Sequence, residues 1–379
     1  MKWNSGRPKA WRARSVAAAT VGLALALTGC STGTSGGGSG AAASSTNNVV
    51  LDSMKPVTTF VGPTESFTPV KDKHIMVLVC GNFGKACIRL GEGAKQAAES
   101  LGWRVDMVDG RLDPTVWNRA VKQAVDAGID GIVSVAADPN LMGEAMAAVN
   151  AKHVPFVMIS QSPKPGDVPG VRSWIRPDAV KGGTDVGTWI AADSGDKGSA
   201  LLIDLPDYAD IMKRNDAIAD TLTKTCQECT VHRVTGSSQT VGTSLAPLVT
   251  SQLQQHPDVN YVWSPDDAVS NFVAQGIQQA GKSATVKLVS GAGEPEALAK
   301  IKAGTHAADL ASPNNFMGWL AGDALIRAIS GVPVQDVWDV PQRFFSAVNI
   351  NDGGPDLTEV GWNVEFDYRD QLKKMWGLT

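Results

Sequence analysis

A chain of 379 residues with 43% apolar side chains, 34 basic groups and 38 acidic groups is long enough for two folded lobes and carries a formal charge of −4. Its first 29 residues hold five of the basic groups and none of the acidic ones, so a body without them carries 29 against 38, a charge of −9. Such a surface excludes the basic patches that nucleic acid or anionic lipid headgroups would require.

Lys2, Arg7, Lys9, Arg12 and Arg14 precede an uncharged apolar run from Val16 to Leu27, the layout of a secretory signal over residues 1–29. The run is too short to span a bilayer comfortably. Leu27-Thr28-Gly29-Cys30 closes it and resembles the lipobox of bacterial lipoproteins, in which the cysteine takes a diacylglycerol and becomes the first residue after cleavage. That resemblance implies an extracytoplasmic protein, lipid-anchored through Cys30 to the outer face of the cell membrane. Ser31 to Asn48 contains only Gly, Ser, Thr, Ala and Asn and cannot bury enough apolar surface to fold, so residues 30–69 read as lipidated cysteine and flexible tether.

Cys80, Cys87, Cys226 and Cys229 remain. An even number outside the cytoplasm favours disulfides, with three pairings formally open. Proximity favours Cys80 with Cys87 and Cys226 with Cys229. A redox-active Cys-x-x-Cys is the rival for the second pair, but Cys226 falls late in a helical pattern, not at a helix N-terminus where a thiolate is stabilised. A four-thiolate zinc site would draw on two distant regions with no histidine at ligand spacing.

Short β-branched runs then recur at spacings that suit one parallel strand plus one return helix. The first series is Ile75 to Val79, Arg104 to Val108, Ile132 to Val135 and Pro155 to Ile159. Amphipathic stretches at Ile88 to Leu101 and Val116 to Ala127 fill gaps, each ending near a glycine (Gly102, Gly128) able to stop a helix. The second series is Ala200 to Ile203, Val231 to Val234, Tyr261 to Trp263 and Val286 to Val289. Two such series predict an α/β protein of two similar, doubly wound parallel-sheet lobes.

With the signal and tether before it, this pattern resembles the type I periplasmic binding proteins, the sugar-binding branch that includes ribose- and galactose-binding proteins. The segments that carry the resemblance are His74 to Val79 followed by Gly91-Glu92-Gly93-Ala94, then Ala127 to Val133, Asn150 to Ser160, and Gln255-His256-Pro257-Asp258-Val259 before Tyr261-Val262-Trp263. It implies a three-crossing hinge near 175–178, 311–313 and 345–348, with lobe one at 70–175 plus 313–345 and lobe two at 176–312 plus 346–379. It also implies a ligand in the cleft at the C-terminal ends of the strands, where open α/β sheets generally bind. The tail beyond Asn351 is longer than in the ribose binders, and the resemblance does not place it.

Residues just after each strand are therefore the candidates. Asn82 and Phe83 follow the first strand; Phe83 is placed either to stack on a sugar or to pack its own loop, while Ala86 and Cys87 stand where ribose binders carry phenylalanines. Ser160 and Gln161 stand where the ribose pattern has an Asp-Arg pair, so neutral donors and acceptors replace a guanidinium fork. Trp174, before the first crossing, is either core or cleft wall, and Arg176 lies beside the hinge. In lobe two Asp207, Tyr208, Asp210 and Arg214 follow a strand, near places where galactose binders use a His, an Asp and an Arg. A helix cap would account equally for Asp207 or Asp210, less readily for Arg214. In Asp266-Asp267 the resemblance implies that the first touches ligand and the second caps a helix. Ala292 replaces an aspartate common in sugar binders, with Glu294 as the acid available to substitute, and Asn314 follows the second crossing. These departures argue against ribose itself.

Nothing points to catalysis, a cofactor or a resident metal. The histidines at 74, 153, 232, 256 and 306 form no His-x-x-x-His pair, and there is no Gly-x-Ser-x-Gly elbow or Walker loop. Gly91-x-Gly93 lacks a third glycine, and the adjacent Asp266-Asp267 cannot flank a glycosidic bond from opposite sides. The expectation is a monomeric, lipid-anchored solute-binding protein that presents a sugar, sugar derivative or sugar alcohol to an ABC transporter permease. Its rivals are a sensor for a membrane receptor, a binder of a non-sugar metabolite, and an extracellular carbohydrate-active enzyme.

Overall fold

The computed structural model describes residues 51–82, 84–161 and 168–378. Cys30 and Phe83 lie outside them. Among the described residues no helix is long and apolar enough to cross a membrane.

The chain alternates strand and helix through β1 (His74–Val79), α1 (Lys85–Glu99), β2 (Arg104–Asp109), α2 (Pro114–Asp126), β3 (Gly131–Val135), α3 (Gly143–Ala151), β4 (Phe156–Ile159) and β5 (Val171–Pro177). A second series follows as α4 (Ala179–Asp193), β6 (Ser199–Asp204), α5 (Ala209–Thr225), β7 (Thr230–Thr235), α6 (Val241–Gln255), β8 (Tyr261–Trp263), α7 (Asp267–Gln279), β9 (Lys287–Ala292), α8 (Pro295–Lys302) and β10 (Ala308–Ala311). Then come α9 (Asn314–Ile329), β11 (Val337–Val340), β12 (Arg343–Ser346), α10 (Leu357–Val360) and α11 (Tyr368–Met375).

One sheet has the order β11-β5-β4-β3-β1-β2 with all neighbours parallel. The other has the order β12-β10-β9-β8-β6-β7, parallel except where β12 runs against β10. Central strands such as β3 and β6 are buried along their whole length, as helices on both faces require. Edge strands β2 and β7 are half exposed and carry the polar residues.

In lobe one α1 lies against α9 so closely that a Cβ at Gly93 or Gly318 would overlap the facing backbone carbonyl of Asn315 or Leu90. The predicted stops Gly102 and Gly128 have φ of +75° and +82°, the left-handed conformation that ends a helix without Cβ strain. Both proximal cysteine pairs are disulfides, with Cα separations of 6.3 Å for Cys80–Cys87 and 5.3 Å for Cys226–Cys229.

The chain crosses between lobes after β5, where Asp178 caps α4 by accepting from the Val180 and Lys181 amides, and again between β10 and α9. The third crossing falls at Pro341-Gln342, not at 345–348, because Arg343–Ser346 already pairs with β10 in the second sheet. Pro341 cannot donate to a ladder, which separates β11 from β12 there.

Two further expectations are corrected. Within 51–69 the chain is bound to the body, not a free tether: Met54 is buried, Arg343 Nε donates to its carbonyl at 3.0 Å, and Phe60 packs edge-on against Phe316 and Phe366. The Phe67 amide donates to the Met375 carbonyl at 2.8 Å. Nor does 346–379 belong to lobe two alone. Trp362 is buried beside Gly293, but α11 lies on α9 of lobe one, where Trp376 stacks on Trp319 and its indole N–H donates to Asp323 at 2.8 Å. The apolar residues spaced along both segments drive this, since Phe60, Phe67 and Trp376 gain burial against the lobe-one core.

Candidate functional site

A cavity of about 180 Å³ lies between the lobes, walled by residues that follow the strands of both sheets. Cys80, Leu112, Ala136, Ser160, Gln161 and Pro177 come from lobe one, and Leu205, Tyr208, Asp210, Arg214, Ser238, Asp266 and Ala292 from lobe two. Ser312 and Asn314 enter from the second crossing. Leu112, Ala136, Ser160 and Gln161 have φ between 54° and 63°, unfavourable for residues with a Cβ. Such strain is held at sites where the surrounding structure over-determines it, and here it turns the backbone sharply off β2, β3 and β4 into the cavity.

Gln161 is only 2% exposed and spans the lobes. Its Nε2 donates to the Ala136 carbonyl at 3.4 Å, and its Oε1 accepts from the Ala209 amide at the start of α5 at 3.0 Å. Beside it, burial pushes the Asp210 carboxyl above its usual range, against the opposing pull of Arg214, Lys213, Arg176 and the Gln161 amide. Arg214 is 8% exposed; its NH1 donates to the Pro265 carbonyl at 3.4 Å, and its buried Nε has no hydrogen-bond partner among the described residues. Burial lowers its pKa, while Asp210, Asp266 and Asp309 work to restore it. A buried N–H without an acceptor costs about 1–3 kcal/mol, and an acceptor brought by a ligand would recover it.

Asp266 lines the cavity, and its Oδ1 accepts from the Ala268 amide at 2.8 Å. It is therefore Asp266, not Asp267, that caps α7. Burial, followed by the neighbouring Glu294 and Asp267, pushes its pKa up to about 8, which favours the protonated form. Asp267 lies deeper. It accepts from the Glu294 amide at 2.7 Å and from Ser290, which also contacts Asp309 at 3.1 Å and His306 at 2.9 Å. Burial raises both Asp267 and Asp309 and holds His306 neutral, down at about 3. Asp309 in turn accepts from the Gly293 amide at 3.0 Å. This layer fixes the loop after β9 from which Ala292 and Glu294 project.

Ser160, Gln161, Tyr208, Asp210, Arg214, Asp266 and Asn314 are thus brought together, and among the described candidates Asn82, Trp174, Arg176, Asp207 and Glu294 do not line the cavity. Trp174 is 1% exposed on the far face of β5, packed with Phe156, Met158 and Val168. Asn82 is exposed and donates to Asp109 at 2.9 Å. Arg176 pairs with Asp339 at 3.0 Å across β5 and β11. Asp207 accepts from the Ser238 hydroxyl at 2.7 Å and so positions the loop after β7. Glu294 is buried and accepts from the Ala86 amide of lobe one at 2.9 Å, supplying the cap that Gly84 cannot give α1.

Glu294 belongs to a set of contacts that close the cleft edge. Lys85 meets Glu296 at 2.6 Å, and Arg89 donates to the Gly293 and Trp362 carbonyls, each at 3.3 Å. Among the described lining residues the one aromatic ring is Tyr208, whose hydroxyl pKa is pushed up to about 12 by burial and then by Asp266 and Asp207. Ser238 and Ser312 were missed. Ser238 follows β7 and is reachable by the strand-end rule; Ser312 sits inside a crossing, where strand periodicity carries no information.

The profile described as "Periplasmic binding protein domain" matches residues 75–332. The Ribose import binding protein RbsB of Bacillus subtilis (strain 168) is 26% identical over 258 residues, 68% of this chain and 81% of that protein. Its namesake in Escherichia coli (strain K12) is 23% identical over 262 residues, 67% and 83% of the two chains. Among solved structures, an ABC transporter solute-binding protein from Agrobacterium vitis with bound alpha-D-tagatopyranose superposes with a TM-score of 0.69 at 18% identity, over 77% of this chain and 99% of that one. GanP, a glucose-galactose binding protein from Geobacillus stearothermophilus, gives 0.65 at 19% identity over 73% and 98%.

Proposed function

The chain belongs to the periplasmic binding protein family, and from that premise we propose that it is the lipid-anchored, extracytoplasmic receptor of an ABC importer, holding a monosaccharide-sized neutral polyol between its lobes. The observation that carries this is the interlobe cavity of about 180 Å³ into which Gln161 and Ser160 project from one lobe and Arg214, Asp266 and Tyr208 from the other. A dry cavity of about 150 Å³ accepts a benzene ring, so this one fits a single substituted six-membered ring or an open polyol of like size. Among the described residues its wall is largely aliphatic and disulfide, with one aromatic ring. A sugar derivative or sugar alcohol with an apolar edge suits that wall better than ribose does. Ligand contacts made by both lobes favour the closed population, and only that differential affinity drives closure.

Cys30 is the proposed anchor and an ABC permease the proposed partner of the closed form. A thermal-shift screen across pentoses, hexoses, deoxysugars and alditols tests the ligand class, because a ligand at about 100 times its Kd raises stability by about 2.7 kcal/mol. A deoxysugar or alditol should give the largest shift and ribose little or none. Shifts confined to charged or non-polyol metabolites would overturn the reading.

A further inference from the structure

At the pole of lobe two opposite the cavity, two histidines meet an aspartate. His232 lies on β7, His256 closes α6, and Asp258 follows in the turn to β8. The two imidazole rings lie 3.9 Å apart between centroids at 28°. One donor atom from each of the three side chains lies within 4.8 Å of the other two. The Nε2 of His232 is buried and makes no hydrogen bond, with Asp258 Oδ2 at 3.5 Å. The carboxylate is itself oriented: Ser199 Oγ donates to Asp258 Oδ2 at 2.7 Å, and Thr230 Oγ1 donates to Ser199 Oγ at 2.7 Å. The Ser199 hydrogen bond is the main reason the Asp258 pKa lies below its usual value.

We propose that His232, His256 and Asp258 form a binding site for a divalent transition-metal ion of the zinc class. Two imidazole nitrogens and one carboxylate oxygen are borderline donors that suit zinc, cobalt or nickel, whereas calcium and magnesium prefer all-oxygen shells. Bonds of 2.0–2.2 Å in a tetrahedron set donors about 3.3 Å apart, so binding needs a rotation of roughly 1 Å, which the half-exposed His256 ring is free to make. Solvent would complete the fourth position. The hydroxyl pair behind Asp258 matches the outer-shell hydrogen bonding that orients ligating carboxylates. Bound there, the ion joins edge strand β7 to the turn before β8. His232 pairs with Leu201, four residues before Leu205 of the cavity wall, and at about 3.3 Å each these put the site at least about 13 Å from the cavity, so occupancy should leave polyol binding unchanged.

The test uses the tag-free protein, stripped with chelator and titrated with Co²⁺ and Zn²⁺. One saturable site per chain is expected, with the visible absorption of tetrahedral Co²⁺ and its displacement by Zn²⁺. His232→Ala and His256→Ala should each weaken binding more than tenfold, and Ser199→Ala about 10- to 100-fold. Affinity should fall on acidification, because protons compete with the metal for its ligand atoms. Absence of saturable binding would overturn the proposal, as would an affinity unchanged in His256→Ala and His232→Ala variants that retain the native circular dichroism.

Discussion

Glu294 is buried at the lobe boundary and touches lobe one through a single amide, that of Ala86 at 2.9 Å. Opening the cleft breaks this contact, so its free energy enters the open-to-closed equilibrium directly. A hydrogen bond to a charged acceptor contributes about 1.5–3 kcal/mol. Burial raises the Glu294 pKa, meaning that desolvation opposes the charged form and offsets part of that gain. The low end of about 1.5 kcal/mol is therefore expected, or about tenfold in affinity. The neighbouring Lys85–Glu296 pair is exposed on both sides and contributes at most about 1 kcal/mol. Glu294→Ala should weaken ligand binding about tenfold by calorimetry and enlarge the ligand-free radius of gyration in solution scattering. Glu294→Gln keeps an acceptor oxygen and should recover most of both. An unchanged affinity and radius in Glu294→Ala would refute the latch.

Asp266 holds its proton to about pH 8 when folded but only to about 4 when unfolded, so its contribution to stability is present at low pH and lost as pH rises through about 8. The melting temperature should fall between about pH 5 and 8 and level off above that, and Asp266→Asn, which still caps α7, should flatten that slope; an identical slope in both proteins would contradict the assignment. Asp266→Ala should weaken polyol binding roughly two- to tenfold, as loss of a neutral hydrogen bond, and no change would remove Asp266 from the contact set. Trp376→Ala should cost about 3–5 kcal/mol in urea unfolding, because Trp376 is buried on Trp319 and bonded to Asp323; a loss under 1 kcal/mol would mean the tail docks only loosely. Cys30→Ala should abolish lipidation and release the protein from membranes, and normal membrane retention would contradict the anchor.

Eight of the twelve strands were legible because β-branched runs at regular spacing suffice to place parallel strands, whereas β5, β10, β11 and β12, which lie at the crossings, were not; both disulfides follow from short separations. The side of a strand was not. β5 is covered on both faces, so Ser173, Trp174 and Ile175 are all buried and alternation gives no sign that Trp174 faces away from the cleft. Glu294 bonds Ala86 across 208 positions of sequence, a pairing that exists only once both lobes are built. Phe60, Phe67 and Trp376 are equally silent in sequence, since single apolar residues in irregular segments carry no period. Residues near strand ends, by contrast, were found by topology together with the resemblance to sugar-binding relatives, which is why Gln161, Arg214 and Asp266 were identified without knowledge of their partners.

The central claim is that Arg214, buried with an unpartnered Nε, receives a ligand acceptor inside the interlobe cavity. Calorimetric titration of the best stabilising polyol into wild type and Arg214→Met, side by side, tests it most directly. One molecule per chain should bind the wild type, and the variant should lose at least tenfold in affinity while remaining folded. Equal affinity in the two proteins would place the ligand outside this cavity and contradict the account.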